Sequence, residues 1–284
     1  MTARTGRRGI AAGFAVLLAA SSPARAACVD LLWSYQAPLA RSETSLDLVA
    51  PGSGRLTYRG AYHSNDPRHP QYGGLLEDWR TATATLAFYE GPERPPSGSV
   101  GEAIRGGGAA ALLRHLAQRD GVRQRRIDPS AEAEVDALVR QFGAERVKLF
   151  YVLRDVAAAR DREGLDEARL KMATARWLEL VGQRFAPLAG SFTTVPELDA
   201  LYTRVWPGLG PWWHVPAEWF EPLRSSAATG GLFTNDVSLA SYRLRDRFMF
   251  EQLVVAVRRG ERVFAVAGRD HVAAQAAALR CEFP

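Results

Sequence analysis

The chain has 284 residues, of which 47% are hydrophobic and 24% are charged, and its formal net charge is +5 at pH 7. This is the composition of an ordinary globular protein. The length suits one large domain or two small ones, and it suffices for a sizeable core, so folding requires neither a disulfide scaffold nor a structural metal.

The first 26 residues have the three parts of a secretory signal peptide. A basic start that includes Arg7 and Arg8 precedes an apolar run at 10–20, and Ala24 and Ala26 then stand where a signal peptidase reads small residues. The apolar run is too short to span a bilayer. We therefore expect an exported protein, periplasmic or secreted, with no transmembrane segment after signal removal.

Two variants of this export route stay open. The pair Arg7 and Arg8 suits twin-arginine export rather than the general secretory route, although the flanking residues match poorly. Cys28 is a candidate for lipoprotein anchoring, although Arg25 stands where such a site has an aliphatic residue.

The net charge argues against nucleic acid as a partner. The predicted signal contains four arginines and no acidic residue, so its removal leaves a formal charge of +1. A protein without a net basic field lacks the electrostatic footprint of nucleic-acid binding.

The chain has two cysteines, Cys28 and Cys281, near the two ends of the predicted mature protein. In an oxidising compartment such a pair predicts one disulfide. We expect this bond to stabilise the fold by about 2–4 kcal/mol.

Strands and helices alternate in the first part of the chain. Alternating or apolar runs predict strands at 55–59, 85–89 and 122–127, and helical spacing predicts helices at 74–81 and 109–119. This alternation favours parallel strands joined by crossover helices. Before them, residues 29–49 show only irregular apolar character.

The middle of the chain is predicted to be helical, and a strand and a helix follow it. Further helices are predicted at 131–142, 145–160, 165–185, 195–205, 241–258 and 271–279, with a buried strand at 263–267. We expect a single α/β domain over 27–284. Its central sheet is mixed, largely parallel and flanked by helices, with a helical insertion at roughly 131–260.

Polar residues follow each predicted parallel strand. His63 comes after the first strand, Glu90 ends the second, Asp128 ends the third and His271 follows the last. Because the carboxyl ends of parallel strands meet at one edge of a sheet, we expect these side chains to converge where α/β sheets hold ligands. Two histidines and carboxylates can bind a metal or activate a water there.

Two G-x-x-H motifs, at 60–63 and 268–271, enclose Glu90, and Arg245-Asp246 opens a helix ahead of the second. This layout resembles the superfamily of Tiki-type metalloproteases, TraB-like and GumN-like proteins, ChaN-like haem-binding proteins and erythromycin esterase-like enzymes. The resemblance covers most of the predicted mature chain in outline, and only the motif segments are specific.

The resemblance implies roles for these residues. His63, Glu90 and His271 would bind metal or serve as base, and Arg245 and Asp246 would support the site. Two positions depart from the pattern: Asp128 stands where relatives often have Glu-Pro, and Ala61 stands where the esterase-like enzymes usually carry Glu. The second departure favours the Tiki-like branch.

These observations predict hydrolysis of an amide or ester bond in a peptide or small molecule. Manganese, cobalt or zinc would supply a hydroxide at neutral pH, or a His–Glu pair would deprotonate a water without metal. A non-enzymatic protein that binds haem or a metal in the same cleft is the alternative, and an interaction module is a third hypothesis. The aromatic stretch at 212–220 suits a lid or substrate platform and a segment folded onto the core equally well. If the protein binds haem, this stretch and His214 become candidate haem contacts.

Overall fold

A computed structural model describes residues 28–33, 43–52 and 54–284, so the predicted signal peptide lies outside the described part. Five strands form its sheet: β1 (Ser45–Val49), β2 (Arg55–Ala61), β3 (Leu86–Tyr89), β4 (Arg123–Arg126) and β5 (Arg262–Gly268). Their spatial order is β1-β2-β5-β3-β4. Only β1 is antiparallel to its neighbour, which confirms the predicted mixed, largely parallel sheet.

Nine α-helices of the described residues surround or extend this sheet. They are α1 (Gln71–Ala82), α2 (Val100–Arg119), α3 (Ala131–Phe142), α4 (Ala144–Glu163), α5 (Glu167–Arg184), α6 (Val195–Val205), α7 (Ser226–Thr229), α8 (Thr234–Arg258) and α9 (Arg269–Glu282). The segment from α3 to α8 separates β4 from β5 in the chain.

The central strand β5 is buried on both faces, which explains its continuous apolar sequence. Alternate residues point to opposite sides of the sheet. Val263 and Ala265 join the core formed with α8 and α9, whereas Phe264 and Val266 join the core formed with α1 and α2. The sheet is therefore covered by helices on both faces.

A third core belongs to the helical segment. It contains apolar side chains from α3 to α6 together with Trp206, Trp212 and Trp219. Trp212 is 0% exposed and Trp219 is 2% exposed, so the aromatic stretch at 212–220 folds onto this core. Of the interpretations left open for that stretch, the core segment is the one the structure supports.

Among the described strands, β1 is the one that the sequence did not predict; the short helix α7 was not predicted either. Strand β1 is an edge strand that pairs with β2 through a tight turn containing Gly52, at φ +97°. Leu46 is buried while its neighbours Ser45 and Asp47 are exposed. Its five residues alternate, but the run is short and half solvated, which makes the pattern easy to miss.

The predicted disulfide between Cys28 and Cys281 is confirmed, with 5.5 Å between the two Cα atoms. It joins positions 253 residues apart, so it ties the described N-terminal segment to α9. Among the described residues, every helix is too short or too polar to cross a bilayer.

Candidate functional site

The predicted residues come together at the carboxyl edge of the sheet. The last residue of β2, Ala61, pairs with the last residue of β5, Gly268, and Tyr89 of β3 pairs with Val266 on the other side of β5. The segments that leave these three strands carry His63, Glu90 and His271. Parallel pairing therefore places all three side chains around one end of β5.

The glycines of the two G-x-x-H motifs have different structural reasons. A Cβ on Gly60 would lie 2.6 Å from Cα of Arg269, so β2 and the start of α9 approach too closely for any side chain. A Cβ on Gly268 would meet no backbone. It would lie 3.4 Å from Oε2 of Glu90, 3.6 Å from Cδ2 of His271 and 3.9 Å from Nε2 of His63.

Glu90 is held on both carboxylate oxygens. Its Oε2 accepts a hydrogen bond from the backbone N–H of Gly268, and its Oε1 lies 2.5 Å from Nη2 of Arg245. The same Nη2 atom donates to Oδ1 of Asp128 at 2.7 Å. Asp128 in turn accepts from the N–H of Gly91 at 2.6 Å. One arginine from α8 thus bridges the carboxylates that follow β3 and β4.

His271 lies beneath this layer and is 3% exposed. Its Nδ1 is 2.6 Å from Oδ1 of Asp246, and its Nε2 is 3.6 Å from Oε1 of Glu90, an ion-pair distance rather than a hydrogen bond. The ring of Tyr242 stacks on the imidazole with 5.3 Å between centroids. Both ring nitrogens of His271 therefore face carboxylates.

The charges of this network support one another. Burial alone would lower the pKa of His271, but the carboxylates of Asp246 and Glu90 raise that pKa to about 10. Burial alone would raise the pKa of Glu90, but His271, Arg245 and the Gly268 N–H hold it well below the usual value of 4.5. Near neutral pH the imidazole is therefore a cation and the carboxylate an anion.

The network continues inward from Asp246. Nε2 of Gln275 donates to Oδ1 of Asp246 at 2.9 Å and lies 3.3 Å from the hydroxyl of Tyr58. Tyr58, Asp246 and Gln275 are all 0% exposed. The residues from Glu90 to Tyr58 thus form a buried polar chain behind the sheet edge, in which sequence analysis identified Asp246 and His271 but not Gln275 or Tyr58.

His63 has a different position from His271. It is exposed and lines a cleft of about 650 Å³ that also contains Glu90 and the end of β5. His271 does not line this cleft. Of the three residues predicted to act on substrate, His63 and Glu90 face the cleft and His271 supports Glu90 from within.

This arrangement bears on the predicted metal. Protein-held zinc has three or four protein ligands. Both nitrogens of His271 face carboxylates and Oε1 of Glu90 contacts Arg245, which leaves His63 Nε2 and Glu90 Oε2 as ligand atoms. The described part of the chain contains no group of three or more His, Cys, Asp or Glu residues placed to hold an ion. The residues present do not fit a divalent ion ligated by His271, and metal binding stays a prediction.

The remaining histidines lie elsewhere. His69 packs between the rings of Tyr62 and Tyr72, and Nδ1 of His115 lies 3.0 Å from the carbonyl oxygen of Ser97. His214 is exposed on the helical segment and does not line the cleft. Haem binding through His214 therefore gains no support from its position.

The cleft is also lined by three arginines that the sequence did not mark as candidates. Arg94, Arg114 and Arg162 line it, beside the kink in α2 where Gly107 and Gly108 leave helical geometry. Arginines are common in this chain, and no local pattern distinguishes these three. The glycine run before Ala109 was the available signal.

Comparisons of the chain with protein-family models, with curated proteins and with solved structures find no match. The function is therefore inferred from the site itself.

Proposed function

We propose that the protein is a hydrolase that cleaves an amide or ester bond with His63 as general base and Glu90 as its electrostatic partner. The observation that carries this proposal is the shared space beside Gly268. Nε2 of His63 and Oε2 of Glu90 lie 3.9 and 3.4 Å from the position that a Cβ on Gly268 would take, so both border the same space, and the cleft opens onto both residues.

The strongly held Glu90 is the weaker candidate for the base. A carboxylate whose pKa is well below its usual value has little affinity for a proton at neutral pH. Imidazole is the side chain that most readily exchanges a proton near neutrality. We therefore assign the proton transfer to His63 and the permanent negative charge to Glu90.

In the proposed reaction, neutral His63 takes a proton from a water through Nε2 while the water oxygen bonds to the carbonyl carbon. Glu90 stabilises the imidazolium that forms. When the tetrahedral intermediate collapses, the bond from carbon to the leaving nitrogen or oxygen breaks. The imidazolium returns its proton to that leaving group, so the enzyme is regenerated.

The supporting layer keeps Glu90 ionised and fixed. Arg245, His271 and the Gly268 N–H all favour its anionic form, and Asp246 fixes the orientation of His271. This assignment retains every residue implied by the resemblance to the Tiki and erythromycin esterase-like superfamily. It moves His271 from direct chemistry to the positioning of Glu90, and membership of that superfamily is part of the proposal.

We also propose that the protein acts outside the cytoplasm, in the periplasm or secreted. The Cys28–Cys281 disulfide supports this proposal because disulfides persist in oxidising compartments.

The test is hydrolysis of a panel of chromogenic esters and anilides by the purified protein and three variants. His63→Ala should lose about 100-fold or more of kcat/KM, the usual contribution of a general base. Glu90→Gln should lose a large part of the activity. Gly268→Ala should lower kcat/KM with little change in the unfolding midpoint, because its methyl group would narrow the space beside Glu90 and His63 while meeting its neighbours at ordinary contact distances.

His214→Ala serves as the matched control, since this histidine is exposed outside the cleft. It should keep full activity. Full activity in His63→Ala or in Gly268→Ala would contradict the mechanism. A coloured purified protein with a haem absorption band would instead favour the binding alternative.

A further inference from the structure

The charges that line the cleft are unbalanced. Arg94, Arg114 and Arg162 are cationic, and Glu90 is the one acidic residue of the lining. Within the site the charge of Glu90 faces Arg245, which also pairs with Asp128, and His271. The lining of the cleft therefore carries more positive than negative charge.

Within the described ranges none of these three arginines has a hydrogen-bond or ion-pair partner. Arg94 and Arg162 are exposed to solvent, whereas Arg114 is half-buried, so Arg114 is the informative one. Nε of Arg114 is buried without any hydrogen-bond partner. A buried donor without a partner is unfavourable in a protein that binds nothing there. The buried Nε of Arg114 therefore points to a ligand that accepts hydrogen bonds.

Neighbouring groups contact two of these arginines, Arg114 and Arg94. The guanidinium of Arg114 lies over the ring of Tyr89, 5.1 Å from its centroid, and Tyr89 directly precedes Glu90. The side chain of Arg94 lies against Gly107, where a Cβ would come within 3.1 Å of it. Helical geometry resumes at Ala109, which also lines the cleft, so the positive end of that helical dipole adds to the field.

We propose that the cleft takes an anionic substrate, an ester or amide that carries a carboxylate or phosphate group held by Arg94, Arg114 and Arg162. Carboxylates and phosphates each present two neighbouring oxygens that can accept paired hydrogen bonds from a guanidinium group. Binding of this group would position the scissile carbonyl beside His63. The proposal rests on the proposed hydrolysis for its reaction, but its binding component can be tested separately.

The experiment is calorimetric titration of the purified protein with succinate, inorganic phosphate and neutral succinamide. Succinate or phosphate should bind at least tenfold more tightly than succinamide, and added salt should weaken this binding. The tighter of the two anions identifies the favoured oxyanion. Equal affinity for the anions and succinamide, or no anion binding, would overturn the proposal.

Single Arg→Gln variants at 94, 114 and 162 should each weaken anion binding about tenfold, the usual range for a charged hydrogen bond. Arg105→Gln is the matched control, because Arg105 is exposed on the same helix as Arg114 and does not line the cleft. Equal weakening by Arg105→Gln and Arg114→Gln would show a nonspecific charge effect and contradict the proposal.

The two proposals can fail separately. Anion binding that persists in His63→Ala, in a protein without hydrolytic activity, would retain the anion site and reject the hydrolase. Hydrolysis of neutral and anionic esters at equal rates, unaffected by the arginine substitutions, would retain the hydrolase and reject the anionic substrate.

Discussion

The imidazole of His271 and the carboxylate of Asp246 form a fully buried ion pair, with 2.6 Å between Nδ1 and Oδ1. Asp246 lies on α8 and His271 on α9, so the pair joins two helices that pack on one face of the sheet. Through Nε2 of His271 the pair also acts on Glu90. It therefore links the stability of the fold to the charge state of the candidate site.

Removal of His271 should be strongly destabilising. His271→Gln leaves the carboxylate of Asp246 buried without its cation, and breaking a buried pair costs about 3–5 kcal/mol. Urea denaturation measures this loss. The control is Arg247→Gln, which breaks an exposed pair with Glu251 on the same helix and should change the unfolding free energy by less than about 0.5 kcal/mol. Similar losses in both variants would show that the buried His271–Asp246 pair contributes no more to the unfolding free energy than an exposed pair.

The stabilisation by His271 should depend on pH in a defined direction. The pKa of His271 rises on folding from 6.5 to about 10, so the protonated form is favoured in the native state. The stabilisation is then complete below about pH 6.5 and is lost as pH rises to about 10. The difference in unfolding free energy between wild type and His271→Gln should shrink over this window. A difference that grows with pH would contradict the assigned charge state.

The stabilisation by Glu90 should depend on pH in the opposite direction, with a loss of unfolding free energy in the acid range. Its pKa falls on folding, so the stability it contributes is present above its ordinary value of 4.5 and is lost as pH falls further. As the pH is lowered below about 4.5, the unfolding free energy of the wild type should therefore fall more steeply than the loss of exposed surface pairs alone would cause. Glu90→Gln should make this fall shallower, and an unchanged fall would argue against a strongly held carboxylate.

Gly108 packs against the loop that carries His63. Its φ is +62°, and a Cβ would lie 3.0 Å from the carbonyl oxygen of Ser64, next to His63. Gly108→Ala should therefore destabilise the protein by about 1–3 kcal/mol and lower activity by moving the His63 loop. Gly106→Ala, two residues earlier with no atom within 4 Å, should stabilise by about 0.5–1 kcal/mol. Thermal unfolding measures the change in stability of each variant. An equal change for Gly108→Ala and Gly106→Ala would contradict a backbone at Gly108 that only glycine adopts without strain.

The residues at the edge of the sheet could be predicted from the sequence, but the burial of His271 could not. His63, Glu90 and Asp128 each lie within two residues of the end of a strand, so strand prediction and parallel pairing were enough to bring them together. The burial of His271 could not be predicted in the same way, because it depends on the packing of α8 against α9. Those contacts are distant in sequence, and no local pattern distinguishes a histidine at the cleft from one beneath it.

The arginines of the cleft show the same limit. For the helix that carries Arg114, the sequence predicts helical structure but not which neighbours its side chains contact. Arg162 belongs to the helical segment, far along the chain. Their convergence depends on how that segment packs beside the sheet. The kink at Gly107 and Gly108 was visible as a glycine run, but its role required the position of Ser64.

Loss of the disulfide should lower stability without removing the site. The Cys28→Ser, Cys281→Ser double variant removes a bond between positions 253 residues apart, which restricts the unfolded chain. We expect a loss of about 2–4 kcal/mol of unfolding free energy. Wild type treated with a reductant should show the same shift in unfolding midpoint. An identical midpoint with and without reductant would show that the bond does not stabilise the fold.

Metal dependence is the prediction that most directly separates the two mechanisms drawn from the sequence. Chelator-stripped protein would be titrated with manganese, cobalt and zinc, using wild type, His63→Ala, His271→Ala and the control His214→Ala. Because both nitrogens of His271 face carboxylates, we expect no stoichiometric site that both the His63 and His271 substitutions abolish. A divalent ion ligated by His271 would have to displace its proton and separate Glu90 from Arg245. One ion per chain, lost in both variants and kept in His214→Ala, would establish the metal centre and replace the metal-free mechanism.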